Sequence, residues 1–416
     1  MAIADVKEFA HLSEEDVKRL GEEFDAIRKE IEDSRGAADA AYIRRLIMVH
    51  RAMLIAGRVT LFASGVKVKG GWRPAWIAGA ALLGVAKILE NMEIGHNVMH
   101  GQWDWMNDPE IHSSNWEWDT LQPAEQWKHS HNFVHHQYTN VLGMDNDIGY
   151  GVLRMTREQK WHPVNLGNPV FNALLALFFE WGVSLHDLDI ESIRKRTKDP
   201  KELKRQLKGI SKKWRQQLVK DYLLFPALTG PFFLSTLTAN ATAGLMRNLW
   251  SYMIIFCGHF PDGAEHFTKE ELDNETQAEW YLRQLLGSAN FKGGPTLHIL
   301  SGNLGYQIEH HLFPDLPSNR YGQISVKVRE IAERYELPYT TGPLHKQYGQ
   351  VFRTVAKMAL PNKVWGDEPE PTKQERMDQL GDGHPMKKSK EGLQANADGK
   401  VNAEPANFPV SASGAA

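Results

Sequence analysis

The chain has 416 residues, 42% hydrophobic and 24% charged, with 48 Lys and Arg against 51 Asp and Glu. Near neutrality excludes nucleic-acid binding by bulk charge, and a single cysteine, Cys257, excludes an internal disulfide framework or a cysteine-based zinc ribbon. A mean hydropathy of −0.44 leaves room for a few membrane segments joined to a large polar part, and the acidic N-terminus does not read as a secretory signal.

Residues 1–42 are polar. Ser13-Glu14-Glu15-Asp16 has the form of a capping box, in which the first and fourth residues satisfy each other's free helix-end groups. Val17, Leu20, Phe24, Ile27 and Ile31 then recur at helical spacing, which predicts a cytosolic amphipathic arm. Residues 43–65 are apolar but carry Arg44, Arg45, Arg51 and Arg58. A charge in mid-bilayer is costly, so this segment crosses only if Arg51 and Arg58 face protein or reach back to the headgroups. After the turn at Gly70-Gly71-Trp72-Arg73-Pro74, a helix runs from Ala75 through Lys87 and Glu90 to His100. A crossing takes roughly 20 residues; residues 75–95 supply them if Lys87 and Glu90 face inward.

The apolar run 169–189 is broken by Glu180 and His186, and segment 191–220 then holds 12 Lys and Arg against 3 Asp and Glu. Such a loop belongs on the cytoplasmic side. A single crossing by 169–189 would separate it from the His-rich stretch before it, so 169–189 reads as a cytosolic helix that dips into the interface. Tyr222 to Met246 is 25 residues without a charge, and the apolar run resumes after Arg247 to Phe260. As one helix, 222–258 would extend about 55 Å at ~1.5 Å per residue, too long for one crossing, so a hairpin turning near Asn240 is predicted. The fold expected is mainly α: an integral-membrane bundle of about four crossings in two hairpins, both termini cytosolic, with a cytosolic helical cap. Its parts are the arm 1–42, a membrane domain 43–365 with a helix in 318–337, and a polar tail 366–416 expected to be disordered.

The histidines carry the chemistry. Seven of the 18 lie in residues 96–136, where an even spread would place about two. GHNVMH places His96 and His100 on one helix face; HNFVHHQYTN does the same for His131 and His135, with His136 about 100° away. QIEHHLFPDLPSNR carries Gln307, His310 and His311, and FCGHFPDG carries His259. The topology brings all four groups to one end of the membrane part. A lone histidine is more often structural, but repeated i, i+3, i+4 sets favour metal, because neutral imidazole binds Fe, Zn, Cu and Ni. Eight imidazoles suit two ions. Gln307 is a weak ligand or acts through water. Glu93, Asp145 and Asp147 are candidates to orient the ligands. His298 is a reserve ligand and His266 structural. Trp103, Trp105, Trp116 and Trp118 either line an entry for substrate or pack the core.

The trio HxxxH, HxxxHH and QxxHH, with paired apolar segments before and after the second box, resembles the integral-membrane fatty acid desaturase family. In detail, ENMEIGHNVMHGQWDWMNDPEIHSS, HNFVHHQYTN, CGHFPDGAE and QIEHHLFPDLPSNR are similar to its acyl-CoA Δ9 branch, over roughly residues 5–365. The resemblance implies two irons held by His96, His100, His131, His135, His136, His259, His310 and His311, with Gln307 where many relatives have a ninth His. It implies O2 as oxidant, conversion of stearoyl-CoA to oleoyl-CoA, and a site on the cytoplasmic face of a multi-pass plasma-membrane protein. No HPGG haem motif occurs, so electrons from NADPH are expected through a separate flavin or iron–sulfur reductase. The basic 191–220 segment would serve either that partner or anionic lipid. An acyl-lipid desaturase or a hydroxylase would use the same boxes. A non-redox zinc protein of the membrane is the reading from another class.

Overall fold

A computed structural model describes residues 6–365 apart from 190, 191, 194, 195 and 273; the tail 366–416 and its expected disorder lie outside the described residues. The capping box forms as the sequence predicts: Ser13 Oγ accepts from Asp16 N, and Asp16 accepts from Ser13 N at 3.0 Å, opening α1 (Glu14–Ser34). Its apolar stripe is not a loose arm. Leu20, Phe24 and Ile31 are fully buried in the same cluster as Tyr281, Leu312 and Phe313, with Phe24 5.2 Å from Tyr281 and 6.4 Å from Phe313, ring to ring. The arm therefore braces the segment carrying the third histidine motif.

Four long helical units form two hairpins. The first pairs α2 (Ala37–Thr60) with α3 (Pro74–Leu89), which continues through a π-helical turn at Glu90–Gly95 into His96–Met99. α4 (Ala124–Trp127) runs on as a π-helix, Lys128–His135. α5 (Asn168–Leu177) and α6 (Phe179–Ser184) lie on a helical pair bent by 88°. α7 (Pro200–Gln217) extends through a π-helical stretch, Leu218–Leu224, to Phe225–Leu228, and α8 (Phe233–His259) returns beside it. α3 packs between α2 and α8. The cap adds α9 (Gln277–Leu286), α10 (Gln307–Leu312), α11 (Tyr321–Arg334) and α12 (Leu344–Met358). A short parallel pair, β1 (Asn290–Lys292) and β2 (Thr341–Pro343), ties α12 to the cap.

The second hairpin turns at 229–232, not near Asn240. Pro226, Gly230 with φ +55° and Pro231 break the helix there, and α8 passes straight through Asn240 for 27 residues, about 40 Å. Asn240 is polar for another reason. Its Nδ2 donates to the Asp221 carbonyl, and its Oδ1 accepts from Arg58 at 2.9 Å. Asp221 also pairs with Arg58 at 2.5 Å and with Lys87 at 2.6 Å. Arg58, Lys87 and Glu90 thus all face protein, as a crossing requires, whereas Arg51 is exposed.

Among the described residues, one helical unit, Ala37–Ala63, is long and apolar enough to cross a membrane alone; the bent pair Pro163–Leu177 and Phe179–Leu188 qualifies jointly. Large apolar side chains stand exposed along these elements, among them Met48, Ile55, Val59, Phe62, Val170, Leu174 and Phe178, and on the second hairpin Leu223, Leu228 and Leu234. Exposed apolar surface of this extent marks contact with lipid or protein.

Candidate metal centre

The π-helical turns set the histidines. A π-helix closes i to i+5 bonds, so its turn is wider than an α-turn. In Lys128–His135 the i to i+5 spacing sets His136 above His131, and both rings join the cluster with His135. The ring centroid of His136 lies 4.7 Å from His100, 4.8 Å from His310 and 4.4 Å from His311.

Two sets of nitrogens converge on either side of it. In the first, His96, His100, His131 and His310 bring ligand atoms within 4.8 Å of one another; in the second, His135, His259 and His311 do the same. His96 Nε2 and His131 Nε2 face each other at 3.3 Å. All eight predicted imidazoles are therefore brought together. They come from α3, the π-helix after α4, the end of α8, and α10.

The outward ring nitrogens are held by protein. His96 Nδ1 meets Asn97 Oδ1 at 3.0 Å, His135 Nδ1 meets Asp145 Oδ2 at 3.0 Å, and His310 Nδ1 meets the Tyr321 hydroxyl at 3.2 Å. His311 Nδ1 meets Gln284 Oε1 at 3.1 Å and Thr139 Oγ1 at 3.2 Å. The inward nitrogens are left over. Among the described residues, His100 Nε2, His135 Nε2, both nitrogens of His136, His310 Nε2 and His311 Nε2 are buried without a hydrogen-bond partner. Each unpaired buried group costs about 1–3 kcal/mol, so the cluster is unfavourable unless cations complete it. An all-nitrogen donor set in two groups, with outer nitrogens fixed, fits two borderline ions such as Fe(II).

Electrostatics agree. Burial, then repulsion from neighbouring imidazoles, drives His136, His310 and His311 well below the usual histidine range, leaving them neutral and ready to ligate. His135 is the exception: burial opposes its cation, but Asp145 and Asp147 outweigh it and hold the ring up at about 9. Burial also opposes the Asp147 carboxylate, yet His135, His131 and His186 keep it well below the usual carboxylate range.

The profile of the fatty acid desaturase family matches residues 71–343. The chain belongs to the fatty acid desaturase family. It is 56% identical over 384 residues, 91% of this chain and 88% of the other, to an NADPH-dependent stearoyl-CoA 9-desaturase of Mycobacterium tuberculosis. An sn-1 linoleoyl-lipid 6-desaturase of Synechocystis is 25% identical over 290 residues, 66% of this chain and 77% of that one. A protein of the same description from Arthrospira platensis is 23% identical over 271 residues, 63% and 72% respectively. The chain is thus an oxidoreductase of the desaturase family.

A cleft opens on the histidine cluster. Met92, Trp118, Trp127, Phe179, Val183, Ile255 and Leu304 give it apolar walls, and His96, His131, His259 and Gln307 reach its surface. Of the four tryptophans singled out by sequence, only Trp118 lines it. Trp103 is fully buried in a separate core, and Trp105 donates to the Gln102 carbonyl. Trp127, which the sequence reading passed over, stacks on His131 at 4.4 Å.

Gln307 sits beside the second group, its Nε2 3.0 Å from His259 Nε2 and its Oε1 buried without a partner. Glu93 does not orient His96. Its carboxylate accepts from Tyr42, Asn303 and Ser318 at 2.8, 3.0 and 2.6 Å, and Asn97 takes the role beside His96. Asp145 and Asp147 do stand behind the second box. His298 stacks on Tyr306 and His266 on Phe260, both apart from the convergent nitrogens. The residues missed by sequence are Asn97, Gln284, Tyr321 and His186. Asn97 lies inside GHNVMH but was not singled out, the other three sit at no motif spacing, and His186 registered only as a break in an apolar run.

Proposed function

We propose that this chain is a multi-pass membrane acyl-CoA desaturase that converts stearoyl-CoA to oleoyl-CoA at a two-iron centre on the cytoplasmic face. One observation carries the reading: two nitrogen groups joined across His136 open on an apolar cleft. The 56% identity to a stearoyl-CoA 9-desaturase supports the substrate and the position. The two hairpins, with Arg58, Lys87 and Asp221 turned inward and apolar side chains outward, support four crossings.

Removing two hydrogens from an unactivated acyl chain with O2, two electrons and two protons yields the alkene and two waters. Iron supplies the oxidising chemistry when bound, since no side chain is a strong enough oxidant. His96, His100, His131 and His310 would hold one ion, His135, His259 and His311 the other, with His136 between them and Gln307 beside the second. The cleft walls position the chain: a uniform polymethylene has no polar mark at C9, so depth and shape alone choose the bond. Met92, Trp118, Trp127 and Ile255 also exclude water from it. Electrons come from NADPH through a separate reductase.

The test is product analysis. Membranes containing the protein, an NADPH-coupled reductase and stearoyl-CoA are incubated with and without O2, beside His135→Ala. Oleoyl product that needs O2, NADPH and His135 is expected. A hydroxylated chain would change the reaction. No product from an iron-loaded, demonstrably reduced protein would overturn the reading in favour of another substrate or a zinc protein.

A further inference from the structure

His186 lies outside the three histidine motifs, in the short turn after α6. Its side chain is 9% exposed, and its Nε2 is 2.7 Å from Asp147 Oδ1. The other oxygen, Asp147 Oδ2, lies 3.8 Å from His131 Nδ1 and 3.6 Å from His135 Nδ1. His131 belongs to one nitrogen group and His135 to the other. A single carboxylate thus stands behind both halves of the cluster, and His186 holds its Oδ1.

The surroundings of His186 are built to hold it. The Tyr150 ring packs 5.1 Å from His186 and 5.3 Å from Phe179. To bring that ring back, Gly149, Tyr150 and Gly151 take φ of +67°, +54° and +69°. A bulky residue adopts this left-handed conformation only at a cost, and such strain persists where the surroundings impose it. α6, which leads into His186, forms a wall of the cleft through Phe179, Glu180 and Val183.

We propose that His186 is a positioning residue of the metal centre: by holding Asp147 Oδ1 it aims Asp147 Oδ2 at His131 and His135, and so sets ligand orientation in both halves at once. The inference rests on the two-ion reading of the site. Its test measures metal affinity and not turnover, so an iron-loaded protein without product would sink the proposed activity and leave this inference standing.

The experiment is anaerobic Fe(II) titration of the full chain in detergent, against a competing chelator, for the parent, His186→Leu, Asp147→Asn and the double variant. Loss of a partner that orients a metal ligand typically costs 10- to 100-fold in affinity. His186→Leu is expected to weaken both sites by that much and to shift both quadrupole doublets in the Mössbauer spectrum. Asp147→Asn should do the same, and His186→Leu should add nothing to it, because contacting residues that act through one link are not additive. Unchanged affinities, full additivity, or an effect confined to one site would each overturn the proposal. If His186→Leu fails to fold, His186→Gln and His186→Asn decide. Gln carries an amide N–H far enough to reach Asp147 and should bind iron like the parent, while the shorter Asn should not. Equal behaviour of the two refutes a positioning role.

Discussion

Replacing Asp145 with Asn tests whether the two nitrogen groups are separately tunable. The Asp145 side chain is fully buried and accepts from His135 Nδ1 at 3.0 Å, from Asn140 N at 2.9 Å and from Asp147 N at 2.9 Å. Asp145→Asn removes the charge behind His135 and turns one acceptor into a donor that must face an N–H. The ring loses the partner that fixes its Nδ1 proton and points Nε2 inward. A loss of 10- to 100-fold in metal affinity is expected, about 1.4–2.7 kcal/mol. It should fall on the group of His135, His259 and His311, because Asp145 makes no hydrogen bond to the other group. Anaerobic Fe(II) titration should therefore split into one tight and one weakened site, with one iron per chain at intermediate free metal. Equal weakening of both sites, or none, would refute the assignment of His135 to its own group.

Other expectations concern the scaffold and the cleft. Asp221→Ala leaves the buried Arg58 and Lys87 without their shared carboxylate; breaking such a pair costs about 3–5 kcal/mol, read as a lower unfolding midpoint in detergent than for Asp221→Asn. Val183→Trp fills part of the cleft and should cost acyl-chain binding about 1–3 kcal/mol. The expected readout is a roughly 5- to 150-fold loss of apparent affinity for stearoyl-CoA with iron content unchanged. Phe24→Ala empties a fully buried site between α1 and the third-motif segment. It should destabilise by about 3–5 kcal/mol, checked by thermal unfolding; an unchanged midpoint would show that α1 is a dispensable arm.

The histidine pattern was legible because imidazoles at i, i+4 have one cheap geometric explanation, and all eight do converge. The π-helical turn over Lys128–His135 was not, since a switch from i+4 to i+5 bonding leaves no mark in residue type. Asn240 misled for a definite reason: a polar residue in a charge-free run has the composition of a turn. Here it satisfies a buried Arg58 and a backbone carbonyl from another helix. The true turn carried the better signal, Pro226 and Pro231 flanking Gly230, within the same run. Glu93 shows a related limit. Spacing put it on the face of His96, but three donors distant in sequence claimed its oxygens. Partners that fix a side chain across tens of residues, as Tyr42 does for Glu93 and His186 for Asp147, are products of tertiary packing alone.

The Arg58–Asp221–Lys87 cluster has a consequence for how the chain is made. Two cations belong to the first hairpin and their anion to the second, with Asp221 134 positions after Lys87. At roughly 5–20 residues per second of synthesis, the first hairpin waits about 7–27 s before its neutralising carboxylate exists. If both hairpins cross the bilayer, as proposed, its buried face carries unneutralised positive charge beside lipid during that interval. On that topology the nascent hairpin would stay at the insertion machinery or sit shallowly until its mate arrives, and the second hairpin would act as the key that releases it into the bilayer. Substitutions at Asp221 would on this view be sensed by quality-control proteases before any enzyme was assembled.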